Sequence, residues 1–172
     1  MVPLALGSQT NGSVIRPASF CGVFGIKPSH GMVSRAGVLN LSYSLDHVGV
    51  FARSVEDMAM VMDVIAGFDD ADPDSFAYAS PDFRATAAQE PPIPPRYAFV
   101  RTPVWDKADP ETKSGMEELA KELNAEEVDM PDGNSAAWDA QRAVMASEMA
   151  HNLGWTVDKH GDLVSDQFKQ LM

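Results

Sequence analysis

The chain has 172 residues, 45% hydrophobic and 22% charged, with 25 acidic against 13 basic side chains and a net charge of −12. That length suits one domain with its own core, and the acidic balance excludes the basic face that a phosphate-backbone partner needs. No apolar run reaches the roughly eighteen residues of a membrane span, and the single cysteine, Cys21, excludes an internal disulfide framework and fits a reducing cytoplasm.

Residues 1–53 are rich in Gly, Pro and Ser and hold three short apolar runs, Val2–Leu6, Val23–Ile26 and Val48–Phe51. These runs predict buried strands joined by tight loops. The apolar start carries no basic segment and runs straight into a glycine-rich turn, so it reads as a strand and not as a leader. Ser54-Val55-Glu56-Asp57 predicts a capped helix start, and Val55, Met58, Ala59, Met62, Ile65 and Ala66 recur at helical spacing until Gly67. Residues 68–95 are acidic and then proline-rich (Pro91, Pro92, Pro94, Pro95), which predicts a surface linker without helix or strand.

Beyond the linker, residues 96–172 predict a β-α-β unit followed by helices. Tyr97–Arg101 reads as a strand. Asp109 caps a helix with Pro110 at its first position, Met116, Leu119, Ala120 and Leu123 line one face, and Glu126–Met130 reads as the next strand. Ser135–Leu153 predicts a long helix with Trp138, Met145, Met149 and Leu153 as core candidates, and the chain reaches Met172 in a further helical segment. The ten methionines fall mostly on these helices, where they fill gaps in a core.

The residues that carry chemistry lie near the start, in Gly7-Ser8-Gln9-Thr10-Asn11-Gly12-Ser13-Val14-Ile15-Arg16-Pro17-Ala18-Ser19-Phe20-Cys21-Gly22. On its own a serine in such a turn caps or hydrogen-bonds the backbone. Glycine at position 12 suits close approach to a ligand and a positive φ. His30, His47, His151 and His160 are available as bases, yet a Ser13-His47-Asp46 triad would need Asp46 to orient the histidine beside it in sequence, which is poor geometry. No Gly-x-Ser-x-Gly elbow, His-Glu-x-x-His, paired cysteines or phosphate-loop lysine is present, so the sequence implies no metal and no cofactor. His151 and His160 are expected on solvent. Phe20-Cys21-Gly22 reads as buried, with Cys21 a small core residue. Arg16, Asp46, Arg53 and Asp57 read as structural charges that pair and fix loops.

That run resembles the nucleophile segment of the amidase signature family, Gly-Ser/Thr-Asp/Gln-Thr-Gly-Gly-Ser-Ile/Val-Arg-x-Pro-Ala-x-x-Cys-Gly. Three more blocks follow in family order. Val23-Phe24-Gly25-Ile26-Lys27-Pro28-Ser29-His30-Gly31-Met32-Val33-Ser34-Arg35-Ala36-Gly37-Val38, Ser44-Leu45-Asp46-His47-Val48-Gly49 and Ala52-Arg53-Ser54-Val55-Glu56-Asp57 are each similar to a family block. The resemblance covers residues 1–67, which would form the signature core of one partial amidase domain over 1–172. It implies an α/β fold, a mixed sheet flanked by helices.

It also implies that Ser13 Oγ attacks a linear amide to form an acyl-enzyme, with the oxyanion held by the N–H groups of Thr10, Asn11, Gly12 and Ser13. Asn11 stands where a first glycine is commoner; asparagine tolerates the left-handed backbone such a turn uses. Gln9 replaces an aspartate of many members and would change the hydrogen bonding beneath the loop. The family's base, a lysine acting through a second serine in a cis peptide, lies upstream of this motif and is not among these residues; Lys27 belongs to another block and reads as a strand-end lysine. The chain is therefore expected to be a cytoplasmic amidase fragment, inactive alone, with a small amide substrate and no nucleic-acid or membrane partner. Two alternatives stay open: a truncated, non-catalytic interaction module that self-associates through exposed core strands, and the amidase subunit of a tRNA-dependent amidotransferase.

Overall fold

The computed structural model describes residues 2–130 and 136–171. It forms two compact units, residues 1–89 with 143–172, and residues 90–142. In the first unit β1 (Leu4–Gln9), β2 (Phe24–Ile26) and β3 (His47–Ala52) make a three-stranded sheet in the order β1-β3-β2, with β3 antiparallel to both neighbours. The register pairs Gln9 with His47 and Leu4 with Ala52. The three apolar runs of the sequence thus fall in the three strands, but burial is confined mainly to β3: as the edge strand, β1 leaves Leu6 59% exposed, and Phe24 in β2 is 48% exposed.

Alternation along β3 sends its side chains to two faces. Val50 on one face joins Val33 and Met62 as the buried cluster, with Val48, Ile26, Met58, Val61, Ile65 and Phe83 packed around them. Helix α2 (Val55–Ile65) supplies Met58, Val61, Met62 and Ile65 to this cluster. It starts as its sequence predicts: Ser54 Oγ accepts from Asp57 N at 3.0 Å. It ends at the Ala66 cap, and Gly67 N donates to Met32 O at 3.0 Å. The opposite face carries α1 (Ile15–Cys21). There Gly25 and Gly49 let the helix sit close: a Cβ at Gly25 would lie 2.7 Å from Ala18 Cβ, and one at Gly49 3.2 Å from both Val14 methyls.

Two expectations change here. Phe20 is 90% exposed and Cys21 is exposed, not buried. Val14, the N-cap of the seven-residue α1, and Ala18 within it are buried four residues apart on one face, and Phe20 points to the other side. The stretch 68–95 also contains more structure than a bare connection. Asp72 is buried at 4% exposure, and α3 (Phe83–Ala87) forms because Asp82 accepts from Ala85 N at 2.8 Å. Phe83 N in turn donates to Asp63 Oδ1 at 2.7 Å, tying α3 to α2.

In the second unit β4 (Ala98–Phe99) and β5 (Glu126–Glu127) pair in parallel around α4 (Pro110–Glu122). Asp109 caps α4 by accepting from Thr112 N at 2.7 Å, with Pro110 at its first position. The expected β-α-β is present, with strands shorter than the apolar pattern predicts. The long helix α5 runs Ala137–His160, past Leu153, and α6 is Asp166–Leu171. The start expected at Ser135 and the terminal Met172 lie outside the described residues. Met149 and Leu153 are buried as expected, whereas Trp138 is 52% exposed.

Candidate active site

The candidate site is the turn between β1 and α1. After Gln9 the chain passes through Thr10, Asn11, Gly12 and Ser13 before the helix begins. Gly12 has φ +103°, a backbone that L side chains rarely adopt, and its carbonyl receives Arg16 N at 2.9 Å to open the first helical turn. Asn124 is the one described non-glycine residue at positive φ, so Asn11 does not take the left-handed backbone expected of it. The turn reverses on Gly12 alone, and the Asn11 side chain is used otherwise: its Nδ2 reaches Met145 Sδ at 3.6 Å.

Gln9 explains how the turn is held from below. Val14 at the helix start makes no side-chain cap, and the buried Gln9 side chain supplies one: its Oε1 accepts from Val14 N at 2.9 Å and Ile15 N at 3.0 Å. Gln9 therefore makes both hydrogen bonds with a neutral side chain. Among the described residues the N–H groups of Asn11, Gly12 and Ser13 make no hydrogen bond, and the Ser13 hydroxyl is exposed without a side-chain partner. A turn built so has donors left for a developing oxyanion.

Thr10 is anchored instead of free. Its Oγ1 donates to Asp46 Oδ1 at 2.5 Å, and Asp46 Oδ2 accepts from Leu41 N at 2.8 Å and Ser42 N at 3.0 Å. Asp46 thus fixes loops as expected, through a hydroxyl and two N–H groups and not through an arginine pair. Arg16, Arg53 and Asp57 form no ion pair among the described residues.

The buried cation is Arg35, which the sequence did not single out. Nε donates to Asp72, Nη1 to the carbonyls of Tyr43 and Asp46, and Nη2 to Asp72 and Asp74. Burial opposes its charge, but the bonds to Asp72 and Asp74 outweigh that and hold its pKa above the ordinary value. Burial likewise works against the Asp72 carboxylate, and the Arg35 bonds prevail to hold its pKa below the usual range. Because Arg35 reaches the Asp46 carbonyl, this network lies directly behind the loop that holds Thr10.

No described lysine or histidine is hydrogen-bonded to Ser13. Lys27 Nζ donates to Pro28 O at 2.7 Å, as a strand-end lysine does. His47 Nδ1 donates to Leu45 O at 2.7 Å, and its ring meets the His30 ring edge-on at 5.2 Å. Burial is the main cause of its lowered pKa, with Lys27, His30 and Arg35 adding to it against the Leu45 bond. His151 and His160 are exposed, as expected. No described cluster of His, Cys, Asp or Glu is placed to hold a metal ion.

The Amidase family model matches residues 1–169. The chain belongs to the Amidase family. Its described helices include none long and apolar enough to cross a membrane. Among curated members, the A-subunit of the glutamyl-tRNA(Gln) amidotransferase of Thermus thermophilus is 44% identical over 122 residues, 70% of this chain and 25% of that protein. Its counterpart from Legionella pneumophila is 51% identical over 85 residues, 49% of this chain and 18% of its own length. The chain thus spans a quarter or less of these relatives.

Solved amidase-family structures extend the likeness to nearly all of it. A chain of a vestigial protein complex bearing on the origins of an s-triazine catabolic enzyme is 32% identical, with TM-score 0.87 over 99% of this chain and 37% of that one. The native peptide amidase of Stenotrophomonas maltophilia is 30% identical, with TM-score 0.69 over 93% and 34%. A 6-aminohexanoate cyclic dimer hydrolase is 26% identical, with TM-score 0.75 over 98% and 38%. The mixed α/β architecture is therefore part of the amidase fold, covering about a third of those chains.

Proposed function

We propose that this chain carries the nucleophile and oxyanion loop of a cytoplasmic hydrolase that cleaves a linear carboxylic amide through a serine acyl-enzyme. Residues 1–172 are read as part of one amidase domain, with the signature blocks in 1–67. Ser13 Oγ attacks the amide carbon, the carbonyl oxygen becomes an oxyanion, and the amine or ammonia leaves as the acyl-serine ester forms. Water then hydrolyses that ester. The oxyanion is received by backbone N–H groups of residues 10–13, a contribution of about 3–4 kcal/mol to the barrier where such donors have been removed in other hydrolases.

The observation that supports this most is the turn itself: an exposed serine after a glycine at φ +103°, with the N–H groups of Asn11, Gly12 and Ser13 unpaired among the described residues. A serine hydroxyl is a weak nucleophile until a base takes its proton. No described lysine or histidine is hydrogen-bonded to Ser13, so we place the base outside these residues and expect the 172 residues alone to show no amide turnover. The test has two parts. Robust hydrolysis of simple amides by the purified chain, lost in Ser13→Ala, would contradict the external base; hydrolysis that survives Ser13→Ala would remove Ser13 as nucleophile. In a longer chain that also carries the family's lysine and second serine, an acyl adduct trapped during turnover should map to Ser13 by peptide mass spectrometry, and an adduct elsewhere overturns the assignment.

The curated relatives favour a second reading, the amidase subunit of a tRNA-dependent amidotransferase, since the amidotransferase proteins are 44% and 51% identical over the residues they share with this chain. Co-purification of partner subunits with the longer chain would decide for it. A third reading, self-association of a non-catalytic module, draws on the edge position of β1 and the exposure of Leu6 at 59%. A monomer at all concentrations in size-exclusion chromatography argues against it.

A further inference from the structure

The loop that holds Thr10 is itself held by a helix more than a hundred residues further along. Glu148 on α5 accepts from Ser42 Oγ at 2.5 Å, from Ser44 N at 3.1 Å and from Ser44 Oγ at 2.7 Å. One turn later Asn152 Nδ2 donates to Leu41 O at 3.2 Å, and one turn earlier Met145 Sδ receives Asn11 Nδ2 at 3.6 Å. Met145, Glu148, Met149, Asn152 and Leu153 recur at three- and four-residue spacing, so they share a face. Met149 and Leu153, 3% and 6% exposed, bury that face and fix its direction.

Ser42, fully buried, is the joint. Its hydroxyl donates to Glu148 while its N–H donates to Asp46 Oδ2, and Asp46 Oδ1 takes the Thr10 hydroxyl. Two carboxylates, from a helix and from a strand end, are therefore coupled through one serine to the first residue of the turn. The hydrogen bond from Ser42, with those from Ser44, holds the Glu148 carboxyl below its ordinary pKa against its partial burial, as suits an acceptor that stays ionised.

We propose that Glu148 is a positioning residue for the nucleophile turn. It clamps the 41–46 loop so that Asp46 holds Thr10, and with it the N–H groups ahead of Ser13, in one arrangement. The role rests on the reading of Ser13 as nucleophile, but its test involves no turnover.

The experiment is amide NMR and hydrogen exchange on the 172-residue chain, wild type against Glu148→Ala and Glu148→Gln. In Glu148→Ala the amide resonances of Leu41–Asp46 shift, those of Thr10–Ser13 shift with them, and the Ser42 N–H exchanges about tenfold faster while Met62 in α2 stays within about twofold. Glu148→Gln keeps one acceptor oxygen of the same reach and returns Thr10–Ser13 toward their wild-type positions. A merely structural tether of α5 gives a different result: Leu41–Asp46 shift and Thr10–Ser13 stay in place, which overturns the proposal. Should Glu148→Ala not fold, Ser42→Ala removes the hydroxyl joint while keeping the N–H to Asp46, and unmoved Thr10–Ser13 resonances there overturn it as well. An acyl adduct mapped away from Ser13 removes Ser13 as nucleophile and leaves these shifts standing; unmoved shifts dismiss Glu148 and leave the chemistry of Ser13 untouched.

Discussion

Asp46 Oδ1 lies 2.5 Å from the Thr10 hydroxyl, 36 residues away in sequence, and the other carboxylate oxygen serves the N–H groups of Leu41 and Ser42. One buried carboxylate thus closes a loop and pins the residue that opens the candidate oxyanion turn. Removing it leaves the part-buried Leu41 N–H and the buried Ser42 N–H without their acceptor, and each such orphan costs about 1–3 kcal/mol. Asp46→Ala should accordingly lower the unfolding free energy by more than a single such penalty. Asp46→Asn, which keeps one acceptor oxygen and the shape, should cost less. Urea denaturation of the two variants ranks them; equal losses would mean that the hydrogen bonds are not what Asp46 contributes.

The Arg35–Asp72 pair makes a second prediction. The two side chains are 4% and 2% exposed, so neither charge can turn to solvent when the other is removed. Asp72→Ala should destabilise by about 3–5 kcal/mol, the range for breaking a buried pair. Asp74, at 28% exposure, should matter less. Since Asp72 has a lowered pKa in the folded chain, its contribution is present above the unfolded value near pH 3.9 and is lost as pH falls through the folded value. Acid denaturation midpoints of wild type and Asp72→Asn read that loss directly, and a wild-type midpoint unmoved by the substitution would contradict it.

What the sequence revealed and what it hid divide along chain distance. The Ser54 cap, the Asp109-Pro110 start and the three strands of the first unit rest on residues within a few positions of each other, and all were legible. The glycine at position 12 was read correctly from its place beside the serine. Arg35 pairs across 37 residues and Glu148 across 106, and nothing local marks either. The one available hint for Glu148 was an acidic residue at helical spacing among the apolar Met145, Met149 and Leu153. Phe20 and Cys21 misled because apolarity says that a residue can be covered, and only the sheet beneath α1 decides which face is. Asn11 misled in a similar way, since its tolerance of left-handed backbone is an aptitude that the turn does not use.

The close seat of α1 on the sheet predicts a specific failure by overpacking. A methyl group at position 25 would lie 2.7 Å from Ala18 Cβ, well inside contact distance. Gly25→Ala should cost about 1–3 kcal/mol and push α1 outward, taking Ser13 with it. Gly115→Ala, where nothing lies within 4 Å of the new carbon, serves as the control on α4. Thermal unfolding that ranks the two alike would show that α1 does not need the bare glycine.

His47 sets a pH dependence near neutrality. Burial foremost, then the charges of Lys27, His30 and Arg35, keeps its folded pKa below the ordinary value, while the Leu45 carbonyl works the other way. The unfolded chain therefore takes up the proton first. Stability from this group is present above about pH 6.5 and is lost as pH falls from there through the folded value. Denaturation midpoints compared at pH 7.5 and 5.5 should drop in wild type and drop less in His47→Ala. A drop of the same size in both proteins would assign it to a group other than His47.

Gly12 and Ser13 separate conformation from chemistry within two residues. Ser13 is exposed and its side chain has no hydrogen bond among the described residues, so Ser13→Ala should leave stability within about 0.5 kcal/mol. Gly12 sits at φ +103°, where an added Cβ would meet only the flexible Arg16 side chain, at 3.2 Å from Nε. The penalty for Gly12→Ala is then backbone strain of about 1–3 kcal/mol and not a clash. Both substitutions should abolish acyl-enzyme formation in the longer chain, the first by deleting the nucleophile and the second by moving the donors around it. A Gly12→Ala protein that unfolds early yet still acylates at the wild-type rate would show that the oxyanion does not depend on this turn.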